Sequence, residues 1–409
     1  MSICKLKLFT FISALLIHYI EAKSQSITLP LHKNSVAYFI LLFLGIPEQQ
    51  LDFPIDLIQP VTLTSNIYYN INTSQTITNQ KQYELTIYRK TTPCTYVEEL
   101  FKYKLNNTTQ FQNISNTNLP LCIYDRKQKI YQKGIGLGYN TNTSNSIIHI
   151  LYKENEINSH EFGIFPNVTT INEENQGAFI FGKITKELTS LYPYSFSVPI
   201  SKQNNKMEWS LSINKIQLDS FEYLPPVNIN MYFNPLGDLI NVPKSILDIL
   251  YNNYFNKLIS EKLCKDDDGD PIFVLYNFIC ECEVVESFPN MIFYFKDDKD
   301  NHRIMIKKED LFKKVGKSCY FNIVYDWYSL EPNQLLVGSA FIQYFGLSFS
   351  YESNSITIYE KESERILGIK QNKYTRTKKR LMIVNIGLSG CIGGLIYGLF
   401  YLKYKGVII

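Results

Sequence analysis

The feature that most constrains the fold is a succession of short apolar runs, each cut off by turn residues. Residues 36–44 are nearly continuous in apolar side chains and end in Gly45-Ile46-Pro47. A run of that length closed by a Gly-x-Pro turn predicts a buried strand. Similar runs recur at 83–88, 146–152, 177–181, 208–218, 290–295, 303–306, 335–337 and 355–359. The 30 Tyr and 26 Phe favour strands as well. Short strands at this spacing predict an all-β architecture, and 409 residues leave room for two cored lobes. The clearest helix is predicted over 244–262. It starts after Pro243 and places Ile246, Leu247, Ile249, Leu250, Tyr254 and Leu258 at helical period. The Asn/Thr-rich stretch 106–118 reads as a loop. A net charge of +3 gives no reason to expect nucleic acid as a partner.

Both ends carry targeting signals. Lys5 and Lys7 precede an apolar run at 8–20, and Ala22 is a cleavage position, so 1–22 reads as a signal peptide. An uncleaved anchor is the rival reading, and either delivers the chain to the secretory lumen. Residues 381–402 carry no formal charge and are long enough to cross a bilayer as a helix. Within them Gly390, Gly394 and Gly398 recur every fourth residue, a smooth face that suits helix-mediated homo-association. Glycine is also simply common in membrane helices. Lys370, Lys373, Arg376, Lys378, Lys379 and Arg380 lie before the span, and only Lys403 and Lys405 follow it. Loop charge alone prefers the opposite orientation. A large domain behind a signal peptide overrides that bias, so the expectation is a single-pass type I membrane protein at the cell surface or in endolysosomes. Residues 361–380 would form a basic stalk and 403–409 a short tail.

Setting aside Cys4 and Cys391 in the two terminal segments, six cysteines remain: Cys94, Cys122, Cys264, Cys280, Cys282 and Cys319. An even number in an oxidising compartment predicts disulfides. Zinc is the alternative at Cys280-x-Cys282, but the spacing is tight and no His is near. Asn72, Asn106, Asn107, Asn113, Asn142 and Asn167 each begin a glycosylation sequon. No metal or cofactor is expected. Asp266-Asp267-Asp268-Gly269-Asp270 imitates a calcium loop, but Asn277 stands where the closing Glu belongs.

Two stretches carry a resemblance. One runs from Gly45-Ile46-Pro47-Glu48-Gln49 to Asp56-Leu57-Ile58, with Asp56 eleven residues after Gly45. The other is Asn234-Pro235-Leu236-Gly237-Asp238-Leu239-Ile240-Asn241-Val242-Pro243, with Asn234 nine before Pro243. Their spacings resemble the paired Asp-Thr-Gly loops of pepsin-like aspartic peptidases. The similarity extends over about 36–360, through Glu161-Phe162-Gly163-Ile164, Gly177-Ala178-Phe179-Ile180-Phe181-Gly182, the Trp209 strand, Phe288-Pro289-Asn290-Met291-Ile292-Phe293 and Leu336-Val337-Gly338-Ser339-Ala340-Phe341. The resemblance implies a bilobal β fold, an N-terminal lobe at 30–190 and a C-terminal lobe at 191–360, with a cleft between them for a peptide or protein. It also implies a Cys282–Cys319 bridge, which leaves Cys94–Cys122 and Cys264–Cys280. Tyr131 and the glycines that follow it would form a mobile flap.

The same resemblance implies a loss. Catalysis in the family needs two carboxylates sharing a proton across a bound water. Here Asp56 matches one position and Asn234 the other, and an amide does not titrate. The Thr-Gly pairs have become Leu57-Ile58 and Pro235-Leu236, which removes the hydroxyls that brace the two loops. The expectation is a pseudoenzyme that binds peptide or protein without cutting. Two alternatives stay open. One is an active endopeptidase using Asp56 with Asp238 in an acidic compartment. The other is a surface adhesion or structural protein in which the cleft plays no part.

Overall fold

In the computed structural model the described residues are 26–361, apart from 88–89, 105–109, 126–132, 140–145, 169–176, 204–205, 220, 268–276, 297–301 and 326–332. The structure is mostly strand, with a few short helices. A six-stranded antiparallel sheet joins the two halves of the chain. Its order is Ile27–Pro30, Gly177–Phe181, Glu161–Pro166, Phe345–Ser350, Ser355–Glu360 and Tyr194–Pro199. Phe162, Phe179, Phe181, Leu347, Phe349, Ile356 and Ile358 bury their side chains in it. The Phe162 and Phe349 rings stack at 4.8 Å, and Trp209 meets both edge-on.

Two further sheets sit on this platform and carry the site. In the first, Ile135–Gly136, Gln49–Asp56, Tyr38–Leu44, Phe101–Lys104 and Phe111–Asn113 lie side by side. Alternation does the sorting: Leu51, Phe53 and Ile55 are buried in the core, while Gln50, Asp52 and Pro54 point the other way. In the second, Ser210–Leu218, Ile229–Asn234 and Gln334–Gly338 are consecutive. A four-stranded sheet contains the long hairpin Thr78–Ile87 and Lys90–Glu99. Another contains the hairpin Phe312–Val315 and Ser318–Phe321.

Three disulfides close these sheets: Cys94–Cys122, Cys264–Cys280 and Cys282–Cys319. They are the three pairs that the resemblance implies, and they fit a protein of the secretory pathway. The predicted helix appears as Lys244–Leu250, a π turn Tyr251–Phe255 and Asn256–Ser260. Among the described residues no helix is long and apolar enough to cross a membrane. The predicted signal peptide and the 381–402 span lie outside the described residues, and so do Gly390, Gly394 and Gly398. Of the sequon residues, Asn72, Asn113 and Asn167 are exposed, whereas Asn106, Asn107 and Asn142 lie outside the described residues.

One expected strand is a helix. The run at 146–152 folds as Ile147–Lys153. Ile147, Ile148 and Leu151 share one buried face at helical spacing, so tertiary burial outweighs the β-preference of the isoleucines. His149 on this helix meets His160 at 5.2 Å between ring centroids. His160 stacks between Tyr152 and Tyr351, at 5.2 and 4.3 Å. Burial, and then the neighbouring His149, push the His160 pKa down to about 4, against a smaller opposing pull from Glu352. The folded state therefore holds His160 neutral where the unfolded chain would protonate it. Its contribution is complete above the ordinary value near 6.5 and is lost as pH falls toward 4. The expected result is a melting temperature that drops between pH 6.5 and 4, with a shallower drop in His160→Phe, measured by thermal denaturation across that range.

Candidate active site

Each of the two carrier strands ends in a turn that folds back beneath a parallel neighbour. Gln49–Asp56 pairs in parallel with Ile135–Gly136, which sets Asp56 opposite Gly136. Asp56 is 1% exposed, and its Oδ1 accepts the Ile58 N–H at 2.9 Å and the Gln59 N–H at 3.0 Å. The Leu137 N–H donates to the Asp56 carbonyl at 2.8 Å, and the Gly138 N–H to that of Gln59 at 2.8 Å. These glycines are required by close approach. A Cβ on Gly136 would stand 2.2 Å from the Val61 carbonyl carbon, and one on Gly138 2.3 Å from the Ile58 oxygen.

The second strand repeats the design. Ile229–Asn234 pairs in parallel with Gln334–Gly338, which sets Asn234 opposite Gly338. Asn234 Oδ1 accepts the Leu236 N–H at 3.3 Å, the same two-residue offset as Ile58 on Asp56. A Cβ on Gly338 would stand 2.4 Å from the Leu239 oxygen. Leu239 is the fifth residue after Asn234, as Val61 is the fifth after Asp56. Asp56 and Asn234 are therefore equivalent positions in two copies of one local structure. Replacing Gly by Ile58 and Leu236 has not removed the backbone donors. Asp56 Oδ1 accepts two backbone N–H groups and Asn234 Oδ1 accepts that of Leu236, and the two turns present a carboxylate and an amide.

The brace between the loops has changed as the sequence implies. Leu57 and Pro235 are buried where the family carries hydroxyls. Backbone contacts from 36–38 now bridge to the Asn234 loop. The Tyr38 N–H donates to the Pro235 carbonyl at 3.0 Å, and Ser339 Oγ to the Val36 carbonyl at 2.9 Å. Asp238 takes part in the same junction. Its Oδ1 is 3.2 Å from Ser339 Oγ and its Oδ2 is 3.5 Å from Lys313 Nζ. Ser339 carries no sequence signal of this role, because its partners lie 101 and 303 residues away.

The glycine run 134–138, expected to be a flap, is instead the strand opposite Asp56. Its glycines serve close packing, not mobility, and Tyr131 lies outside the described residues. The segment 161–164 belongs to the joining sheet. The helix Ile147–Lys153 follows the 134–138 run. Trp209 Nε1 donates to the Leu137 carbonyl at 2.8 Å and holds this strand from behind.

The long hairpin is fastened to the segment after the Asp56 turn by a buried carboxylate. Glu99 is fully buried and accepts from Tyr69 Oη, from Ser74 Oγ at 2.7 Å and from Thr76 Oγ1. It also accepts its neighbour's N–H, Leu100, at 2.7 Å. Desolvation, and then the Glu99 carboxylate, push the Tyr69 pKa up, so the phenol stays a donor.

The model of the eukaryotic aspartyl protease family matches residues 63–361. The chain belongs to the eukaryotic aspartyl protease family. The match includes the Asn234 loop and begins just after the Asp56 turn. No curated protein matches the chain. For an aspartyl protease fold the arrangement is unequal: one turn carries an aspartate and its counterpart an asparagine.

Proposed function

We propose that this chain is a membrane-anchored, non-hydrolysing aspartyl protease homologue of the secretory pathway whose cleft holds a peptide or an extended protein segment. The observation that carries the reading is the equivalence of Asp56 and Asn234 across two matching turns. A pair of close carboxylates splits its pKa values and so supplies an acid and a base together. A carboxylate beside an amide cannot do this, because the amide neither gives nor takes a proton. Asn234 can orient a peptide carbonyl or a water, and Asp56 can accept a backbone N–H, which is a recognition pair without a catalytic cycle. The placement of Asp238 on Ser339 and Lys313 supports the same reading, since its oxygens are engaged at the lobe junction.

The test is retention of intact peptides. The purified chain is incubated with a mixed peptide library at pH 5, washed, and its bound fraction read by mass spectrometry. Intact peptides should be retained, and Asp56→Ala should reduce their amount at least tenfold. Retention unchanged by Asp56→Ala, or none at all, would contradict a binding cleft.

A further inference from the structure

Phe111–Asn113 is the outermost strand of its sheet and pairs on one side with Phe101–Lys104. Its three residues are all exposed. Side chains two apart on a strand share a face, with about 7 Å between their Cα atoms, so Phe111 and Asn113 stand side by side. Gln112 takes the other face, where its Oε1 accepts Tyr103 Oη at 2.6 Å. Phe111 leaves 40% of its surface to solvent, yet its ring is held. It meets Phe43, across the intervening strand, at 4.8 Å between centroids and 65° between planes. Lys102, directly opposite Asn113, is engaged by Glu48 at 2.7 Å.

Asn113-Ile114-Ser115 is a glycosylation sequon, and the residue two before the asparagine sets it apart. Before Asn72 that residue is Asn70, whose Oδ1 accepts the Asn72 N–H at 3.0 Å. Before Asn167 it is Phe165, which is fully buried against Tyr192 and Tyr359. Asn167 Nδ2 also donates to the Gln343 carbonyl at 2.9 Å. Among the described sequon residues, Asn113 alone stands beside an exposed aromatic ring.

We propose that Asn113 carries an N-linked glycan whose first N-acetylglucosamine packs its C–H face on the Phe111 ring. The inference rests on the secretory reading above and not on what the cleft holds. In the transfer, Asn113 Nδ2 bonds to the anomeric carbon of the sugar as that carbon's bond to a lipid pyrophosphate breaks. The pyrophosphate leaves with the bonding pair, and the amide nitrogen loses one proton. Ser115 supplies the hydroxyl that the sequon needs. It is only 2% exposed in the fold, so the transfer precedes folding of this segment. In the folded chain the sugar's C–H bonds meet the electron-rich face of the ring. The contact takes apolar ring surface out of water. Phe43 has already fixed the ring, so little rotamer freedom is lost. An edge strand with one neighbour thereby gains a second support.

For the test, the full chain is produced in a glycosylating eukaryotic host and trimmed with an endoglycosidase that leaves one N-acetylglucosamine per site. Mass spectrometry should find that sugar on Asn113. Hydrogen exchange over 101–104 and 111–112 should be about fivefold slower in this form than in Asn113→Gln, the factor expected of one aromatic contact acting on local opening. Phe111→Tyr keeps a ring and should keep the protection that the sugar gives. Phe111→Ala should lose it, exchanging like the Phe111→Ala, Asn113→Gln double variant. A sugar at Asn72 with none at Asn113 would overturn the proposal and leave the secretory reading standing. No sugar at any site would overturn both. An occupied Asn113 whose loss leaves exchange unchanged, or whose protection survives Phe111→Ala, would overturn the packing of sugar on ring.

Discussion

Gly136→Ala is expected to destabilise the protein by about 4 kcal/mol, near the upper end for a single substitution. The added methyl would lie 2.2 Å from the Val61 carbonyl carbon and 2.6 Å from its nitrogen. Both obstacles are backbone atoms of the turn that carries Asp56, so no rotamer change relieves them. Either the parallel strand separates from Gln49–Asp56 or the turn opens. Gly338→Ala should behave alike, because its methyl would meet the Leu239 oxygen at 2.4 Å. Two controls fix the scale. Gly163→Ala meets side-chain atoms, Ile184 Cδ1 and Phe165 Cε2, at 2.6 Å, and these can shift at a cost of about 2 kcal/mol. Gly316→Ala meets nothing within 4 Å and bears only its positive φ, about 1 kcal/mol. Chemical denaturation of the four variants gives the order. Matching losses at Gly136 and Gly338 would show that the two turns are equivalent in energy as well as in shape.

Glu99→Ala should cost about 3–5 kcal/mol, as expected when the acceptor shared by several buried donors is removed and a cavity is left. The substitution removes the acceptor shared by the hydroxyls of Tyr69, Ser74 and Thr76, leaves Ser74 and Thr76 only their bond to each other, and opens a cavity in their midst. Glu99→Gln keeps the shape and one acceptor oxygen, and should cost about half as much. A difference between the two separates the network from mere volume. The loss should also be felt at the hairpin. Hydrogen exchange across Thr78–Ile87 and Lys90–Glu99 should accelerate in Glu99→Gln before the rest of the sheet opens. If both variants melt like the parent, the buried carboxylate is not what secures the hairpin.

Strands made of short apolar runs were legible in the sequence, among them Arg303–Ile306 and Gly177–Phe181. The three disulfides followed once the family resemblance had paired one of them. What misled was residue type read without its neighbours. The glycines of 134–138 suggested mobility, yet their cause is the backbone of Val61 and Ile58, which no local pattern reveals. Ile147 and Ile148 suggested a strand, but the burial of one helical face decided otherwise. Glu99 gave no signal, because its hydroxyl partners precede it by 23–30 residues. The Asp56/Asn234 mismatch was an implication of the family resemblance. The structure adds that the turns around the two residues are alike, down to the amide at the second position.

This aspartyl protease fold keeps Gly136 and Gly338 packed against two matching turns, one carrying a carboxylate and the other an amide. Asn234→Asp would place a carboxylic acid at both of the equivalent positions. Leu57, Pro235 and the packing of 36–38 against the Asn234 loop would still differ from a hydroxyl-braced pair.

The most direct measurement is digestion of a mixed peptide library by the purified protein across pH 3 to 7, with Asp56→Asn as the control. The account predicts no cleavage that depends on Asp56 at any pH, from a sample whose folding is verified by its thermal transition. Cleavage that disappears in Asp56→Asn would contradict it and would require a second acid group near Asp56 to be identified.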